Sequence, residues 1–195
     1  MVVGLRGNTD LGYVCAKKLV KELRAKKFSE YYSEWFPDLA FVDQNGLCRL
    51  PRWVFHESSE ANPNLIILSG VTGVNSEQAE AYYSTFNDIL RLSKAFAVRA
   101  AYVLDGMISD GGERQSIRVA ATSQKLVQRA QQHGGQIMKK VPLPPVSGML
   151  LGLSRLYGLP SMLIVGPMDQ EETSDSAVEA VCSFLCKIAG LRIGR

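Results

Sequence analysis

The chain has 195 residues, of which 46% are hydrophobic and 21% are charged, with a formal net charge of +3. Such a chain is long enough to form one globular domain with a sizeable core. Its basic residues are scattered among acidic ones, which disfavours a nucleic-acid partner, and no apolar run reaches the roughly 20 residues of a membrane span. We expect a single cytoplasmic domain, residues 1–195, with neither nucleic acid nor a membrane as its partner.

Cysteine and histidine usage argues against a metal site. The residues concerned are Cys15, Cys48, Cys182, Cys186, His56 and His133. No two cysteines have CxxC spacing, and all four lie in apolar patterns, which predicts reduced thiols in the core. The two histidines are isolated in sequence. We therefore expect no bound metal and no cofactor.

The first predicted unit is a strand, a glycine turn and a helix. Residues 1–7 have a strand pattern that begins almost at the first residue, so we expect either a missing upstream piece or an edge position in the sheet. Leu11, Cys15, Leu19 and Leu23 recur every fourth residue and predict a helix. The turn does not match GxGxxG, and GxxxxGK[ST] is absent, so a phosphate loop is unsupported.

The region from about residue 28 to residue 58 predicts antiparallel strands. Asn45-Gly46 lies between two short strand patterns at 39–42 and 47–50, which is a strong hairpin signal. An extended segment follows Pro51. Because this region is inserted between parallel units, we expect a mixed sheet.

The rest of the chain alternates strands with helices. Apolar runs predict strands at 65–70, 98–104, 117–122 and 161–166. The predicted strand at 117–122 is followed directly by a predicted helix. Helix caps are predicted at Asn75-Ser76, at Ser123 and at Ser174-Asp175. Polar loops are predicted at 109–114, as the most mobile part, and at 169–172. This alternation predicts an α/β fold with right-handed crossovers.

A proline-rich segment at 142–145 precedes an apolar helix for which Ser147 is the predicted N-cap. Gly148 and Gly152 share one helical face, which predicts close approach to another backbone. Two interpretations are open. The amides of Ser147 and Gly148 form a helix N-terminus that holds an anion, or the segment is a crossover helix packed on the sheet and ending at Gly158.

Several motifs follow one another along the chain in a distinctive order. They are GNTDLG at 7–12, NG at 45–46, LPR at 50–52, LIILSG at 65–70, AATS at 120–123, VSGMLLGL at 146–153 and LIVG at 163–166. Together they resemble the proteasome assembly chaperone 2 family, especially its archaeal members, over nearly the whole chain. The order and spacing of the motifs carry this resemblance, since each motif alone is unspecific.

The resemblance implies a three-layer α/β sandwich with a mixed, largely parallel sheet, similar to purine nucleoside phosphorylases. It also implies a self-associating chaperone that binds proteasome α subunits. Because no Ser/His/Asp or Cys/His set has a convincing local signature in the sequence, we expect the protein to be non-catalytic. Family members that dock on the assembled proteasome have a hydrophobic-Tyr-X tail, whereas this sequence ends Arg192-Ile193-Gly194-Arg195. Tail docking is therefore not expected from these residues.

The binding-protein hypothesis needs surfaces for partners. Trp35, Phe36, Trp53 and Tyr157 stand beside predicted loops and are interpreted either as interface anchors or as ordinary core residues. For self-association, an edge strand at residues 2–5 and the hairpin at 39–50 are the candidates, since unpaired strand edges seek partners.

The alternative hypothesis is a phosphorylase-like enzyme or small-ligand-binding protein with a pocket at the carboxyl ends of the strands. The residues predicted to line that pocket are Gly7, Asn8, Gly70, Asp105, Gly106, Arg114, Ser147 and Gly148. Asp105 would act as a base, and Arg114 or Arg118 would hold an anion. The competing interpretation makes Asp105 a turn carboxylate, for which Asp-Gly is a common sequence.

Overall fold

The computed structural model describes residues 1–7, 9–59, 61–74, 79–108, 116–168 and 173–191. Along these ranges the elements are β1 (Val2–Leu5), α1 (Leu11–Glu22), β2 (Lys26–Tyr31), β3 (Phe41–Val42), β4 (Cys48–Arg49), β5 (Trp53–Ser58), β6 (Leu65–Gly70), α2 (Ala79–Ala95), β7 (Ala101–Ile108), β8 (Arg118–Ala121), α3 (Gln124–Gln132), β9 (Gln136–Ile137), α4 (Pro145–Leu156), β10 (Ser161–Met168) and α5 (Asp175–Ala189). The predicted cap at Asn75-Ser76, the loops at 109–114 and 169–172, and the pocket residues Asn8 and Arg114 lie outside the described residues.

Eight strands form one mixed sheet in the order β2-β5-β6-β1-β7-β10-β8-β9. The inner strands β6, β1, β7 and β10 are parallel to one another, whereas β2, β5 and β6 pair antiparallel on one side and β8 pairs antiparallel with β10 on the other. The predicted mixed, largely parallel sheet is confirmed.

Strand β1 lies in the middle of this sheet, between β6 and β7. The predicted edge position of residues 2–5 is therefore wrong, and these residues offer no free strand edge for self-association. The physical reason is that all four residues of β1 are buried, and the later crossovers place a neighbouring strand on each side.

Helices cover both faces of the sheet and make three layers. Helices α1, α3 and α5 pack on one face, and α2 and α4 pack on the other. Because side chains alternate along a strand, β7 sends Tyr102 and Leu104 to the first face, and Ala101 and Val103 to the second. Within the described ranges, no helix has both the length and the apolar character needed to cross a membrane.

The predicted starts of helices α3 and α5 are confirmed. The hydroxyl of Ser123 accepts the N–H of Leu126 at 3.4 Å, and that of Ser174 accepts the N–H of Ala177 at 3.2 Å. Gly190 ends α5 with a φ of 67°, where glycine is favoured.

The predicted start of helix α4 is wrong. The helix begins at Pro145, with Pro144 as its N-cap residue, and Ser147 lies inside the first turn with its side chain buried. Proline suits the first helical position because its fixed φ is already helical and it has no N–H to satisfy. The serine hydroxyl is therefore free to bond elsewhere.

The predicted close approach to another backbone is found at Gly148 but not at Gly152. A Cβ at Gly148 would lie 2.7 Å from the Cβ and 3.3 Å from the carbonyl group of Leu143, in the segment just before the helix, whereas one at Gly152 would meet nothing within 4 Å. A closer approach occurs at α1, where a Cβ at Gly12 would overlap the carbonyl oxygen of Leu104.

Strands β3 and β4 form the predicted hairpin as a separate two-stranded sheet. Gly46 has a φ of 76°, and the Asp43 carboxylate accepts the N–H groups of Asn45 and Leu47 at 2.9 and 3.0 Å. This small sheet is not hydrogen-bonded to the main one, and the residues of both its strands are exposed. Cys48 is among them, so its predicted core position is wrong.

The aromatic residues proposed as interface anchors divide into two groups. Trp53 and Phe36 are buried, and the Trp53 indole donates to the carbonyl oxygen of Thr72 at 2.8 Å and stacks on Phe86. Trp35 is half-buried, and Tyr157 is 40% exposed. The interface interpretation is therefore wrong for Trp53 and Phe36, which belong to the core beside α2.

Candidate functional site

Asp105 lies at the centre of a buried polar cluster on β7. The hydroxyl of Ser147 on α4 donates to Oδ2 of Asp105 at 2.7 Å, and the N–H of Gly106 donates to Oδ1 at 2.8 Å. The hydroxyl of Thr9, in the turn before α1, donates to Oδ1 over a longer distance of 3.5 Å. The carboxylate thus connects a central strand with elements on both faces of the sheet.

Burial governs the electrostatics of this carboxylate. Asp105 is 4% exposed, and burial raises the pKa of its carboxyl group, while the hydrogen bonds from Ser147, Gly106 and Thr9 act in the opposite direction. No cation within the described ranges forms an ion pair with Asp105. The partners that the described part of the chain supplies are neutral donors.

The structure brings together four of the predicted pocket residues: Gly7, Asp105, Gly106 and Ser147. A Cβ at Gly7 would lie 3.8 Å from both carboxylate oxygens of Asp105. Thr9 belongs to the same cluster but was missed by the sequence analysis. Its position directly after the first strand, inside the glycine turn, was the signal that could have found it.

Two other predicted pocket residues have different surroundings. Gly70 packs against the indole of Trp53, where a Cβ would overlap the ring. The amide of Gly148 donates to the carbonyl oxygen of Pro144 at 2.7 Å, so it is not free to hold an anion. Arg118 lies on β8, opposite Val165 of β10.

The chemistry open to this cluster is limited by its burial. Asp105 is not a turn residue, because β7 continues to Ile108, and the turn interpretation is therefore wrong. Asp105 and Ser147 are 4% and 2% exposed and are hydrogen-bonded to each other, so neither side chain is presented to a dissolved substrate. Among the described residues, no three potential ligand side chains are grouped to hold a metal ion.

A second feature lies at the surface, on and around the β3–β4 hairpin. Five large apolar side chains are at least 46% exposed within twelve residues, and we call them the hairpin surface. They are Leu39, Phe41, Val42, Leu47 and Leu50. Exposed apolar groups concentrated in this way mark sites of protein contact more often than isolated ones do.

Comparison with known families identifies the chain. Residues 1–194 match the model of the PAC2 family. The chain belongs to the PAC2 family. It is also 22% identical over 201 residues to the uncharacterized protein MJ1210 of Methanocaldococcus jannaschii, an alignment that spans 99% of this chain and 74% of that protein. The resemblance drawn from the sequence motifs is confirmed.

Solved structures share the fold of this PAC2 protein. PbaB of Pyrococcus furiosus, described as an archaeal proteasome activator, superposes with a TM-score of 0.88 at 24% identity, over 99% of this chain and 84% of PbaB. PbaA of the same organism, described as an archaeal homolog of proteasome-assembly chaperone, gives a TM-score of 0.83 at 21% identity, over 99% and 78% of the two chains. The predicted α/β sandwich is thereby confirmed.

Proposed function

We propose that this PAC2-family protein is a non-catalytic, chaperone-like protein that self-associates and binds proteasome α subunits. Family membership supports the proposal, and so do the descriptions of PbaA as a homolog of proteasome-assembly chaperone and of PbaB as a proteasome activator. The observation in the chain itself that carries the proposal is the hairpin surface.

The hairpin surface suits protein contact because its apolar side chains are exposed to solvent and are not packed in the hydrophobic core. Val42 is 72% exposed and Leu50 is 62% exposed, although both are aliphatic. At about 25 cal/mol per Å² of apolar area removed from water, covering them would favour association. Phe41 adds an aromatic group, the kind of residue that often dominates interface energy. We assign self-association to this surface.

The non-catalytic part of the proposal has its own support. The carboxylate that the sequence suggested as a base, Asp105, accepts hydrogen bonds from Ser147 and Gly106 and is shielded from solvent. A general base must reach the proton that it removes, directly or through one water molecule. We therefore assign Asp105 a structural role, in which it holds α4 against β7.

Size-exclusion chromatography with light scattering tests the proposal. The protein is run alone, then with proteasome α subunits from the same source, and then with β subunits of that proteasome as the matched control. We expect a defined oligomer that co-elutes with α subunits and not with β subunits. A monomer alone would contradict self-association, and equal or absent co-elution with the two subunit types would contradict specific α-subunit binding.

A further inference from the structure

A cleft of about 360 Å³ lies beside the hairpin, where α1, β5 and the end of β6 meet. Its volume falls in the range of small-molecule sites, roughly 300–1,000 Å³. Four lysine and arginine side chains line it, together with two carboxylates, those of Glu30 and Asp43. The basic residues are Lys17, Lys27, Arg49 and Arg52.

The carboxylates do not balance these cations. Glu30 Oε1 lies 3.0 Å from Lys27 Nζ and also 3.0 Å from Arg52 Nε, so two cations share one carboxylate. The Arg52 contact is an ion pair without the alignment of a hydrogen bond, because Arg52 Nε has no hydrogen-bond partner. Asp43 pairs with Arg49 at 2.8 Å.

Lys17 supplies a further positive charge. It is exposed on α1 and has no ion-pair partner in the described part of the chain. The cleft therefore has two more cationic than anionic side chains, even before His56 is considered. A ligand with about two negative charges would balance them.

The walls of the cleft also hold polar atoms that the described protein atoms leave unused. Nδ1 of His56 and Oγ1 of Thr72 are buried, and neither has a hydrogen-bond partner among the described residues. Buried polar atoms in folded proteins normally have a partner. Thr72 is only 5% exposed as a whole residue. The cleft thus offers hydrogen-bonding capacity beside its positive charge.

His56 reports the electrostatic state of the cleft. Burial lowers the pKa of its imidazole, and the nearby charges of Lys17 and Lys27 lower it further, whereas the neighbouring backbone groups of Ile67 and Val54 act in the opposite direction. An anion bound beside Lys17 and His56 would oppose the charge effect, because it favours the protonated ring.

Apolar side chains complete the lining. Phe41, Leu50, Val54 and Val71 stand around the charged groups. This combination suits a molecule with an ionised head and an apolar body, since such sites use apolar contacts for affinity and a few polar groups for orientation.

We propose that this cleft binds a small phosphate monoester through Lys17 and His56, with its organic part against Phe41 and Leu50. The choice of phosphate follows from charge, because a phosphate monoester carries about −1.5 to −2 at neutral pH, whereas a carboxylate or sulfonate carries −1. The proposal does not rest on the assembly role, although Phe41 and Leu50 belong both to the cleft and to the hairpin surface.

Nuclear magnetic resonance of the histidine rings provides the test, because the chain has only two histidines. The probe is phenyl phosphate, titrated at constant ionic strength, with benzenesulfonate as a monoanion of similar shape. We expect phenyl phosphate to shift His56 saturably and to raise its pKa toward or above 6.5, its ordinary value. The resonances of His133, exposed at the end of α3, should not change.

Three results would overturn the proposal. These are no saturable shift of His56, equal shifts with phenyl phosphate and benzenesulfonate, and parallel shifts of His56 and His133. The first would show that the site is not occupied by phosphate esters, and the others would show a general response to ions.

Variants of α1 locate the site. Lys17→Met keeps an unbranched side chain and removes the charge, so it should raise the pKa of His56 before any ligand is added and weaken phenyl phosphate binding roughly tenfold. Lys21→Met, exposed on the same helix but outside the cleft, should leave both quantities unchanged.

A second variant keeps the test decisive if Lys17→Met is poorly folded. Thr72→Val removes only the buried hydroxyl and should also weaken binding of phenyl phosphate. Wild-type affinity in either folded variant would contradict the assignment.

Discussion

At the residue scale, the side chain that most clearly links separate elements is the carboxylate of Asp105. A buried charged group is costly unless its hydrogen bonds are made, and Asp105 receives them from α4, from β7 and, over a longer distance, from the turn before α1. The bonds from Ser147 and Thr9 thus stabilise the contacts of α4 and of the turn before α1 with the central strand. Removing one donor should cost more than removing an equally buried hydroxyl elsewhere.

Ser147 provides the test of this role. Ser147→Ala removes the 2.7 Å hydrogen bond to Oδ2 of Asp105 and leaves this oxygen buried without the serine donor. The free energy of unfolding should therefore fall by about 2 kcal/mol. Urea denaturation at neutral pH measures the change.

The matched control is Ser154→Ala on the same helix. Ser154 is also buried, but its hydroxyl donates to the carbonyl oxygen of Leu150 inside the helix. Such a bond adds little to helix stability, so its loss should cost less than about 1 kcal/mol. Equal effects of the two substitutions would contradict a special role for Asp105.

At the element scale, the packing of α1 on the sheet depends on glycines. A Cβ at Gly4 would overlap the carbonyl oxygen of Gly12, and a Cβ at Gly12 would overlap that of Leu104. Helix and sheet are therefore in backbone contact. The sequence pattern around this turn shows the glycines but not which backbone each one meets.

Alanine substitutions at two helical glycines test this contact. Gly12→Ala should lower the free energy of unfolding by about 3 kcal/mol, because backbone atoms must move apart. Gly152→Ala, where a Cβ meets nothing within 4 Å, should raise it by about 1 kcal/mol through helix propensity. Thermal and urea unfolding measure both. An unchanged free energy of unfolding for Gly12→Ala would show that α1 does not lie so close to the sheet.

Local signals predicted the elements whose determinants are local. Ser123 and Ser174 are caps that act within three residues, and Asn45-Gly46 forms its turn with no help from the main sheet. Predictions failed where distant residues decide. Ser147 fits the local pattern of a cap, but its hydroxyl bonds to Asp105, 42 positions away. Cys48 fits a core pattern, but its exposure depends on the strand order, which the local pattern does not show.

The same reasoning explains the mixed outcome for the predicted site. Asp105, Gly106, Gly7 and Ser147 could be brought together from the sequence, because carboxyl ends of parallel strands meet at one edge of a sheet. The burial of Asp105 could not be predicted from the sequence. Asp-Gly is a common turn sequence, whereas in the structure the pairing of β7 with β10 continues beyond Asp105. The cleft at Lys17 and His56 combines residues from several elements, so no single motif indicates it.

At the scale of the whole molecule, the sheet and the hairpin present different surfaces. The main sheet ends in β2 and β9, and the two-residue β9 offers little edge for pairing. The hairpin surface instead exposes apolar side chains. Phe41 and Leu50 also line the cleft beside the hairpin, whereas Val42 and Leu47 do not. Self-association and ligand binding can therefore be perturbed separately.

Substitutions at Val42 and Leu47 test the assembly without touching the cleft. These side chains are 72% and 55% exposed, so Val42→Glu together with Leu47→Glu should leave the folded chain stable. In a symmetric interface each new charge appears in every copy, and covering it costs more than covering an aliphatic group. We expect light scattering to show a fall in molar mass from that of the oligomer to that of a single chain.

Leu156→Glu is the control, since Leu156 is 81% exposed on α4, and this variant should keep the wild-type molar mass. An unchanged mass for the folded hairpin variant would exclude this surface and direct the search to β2, the longer of the two sheet edges.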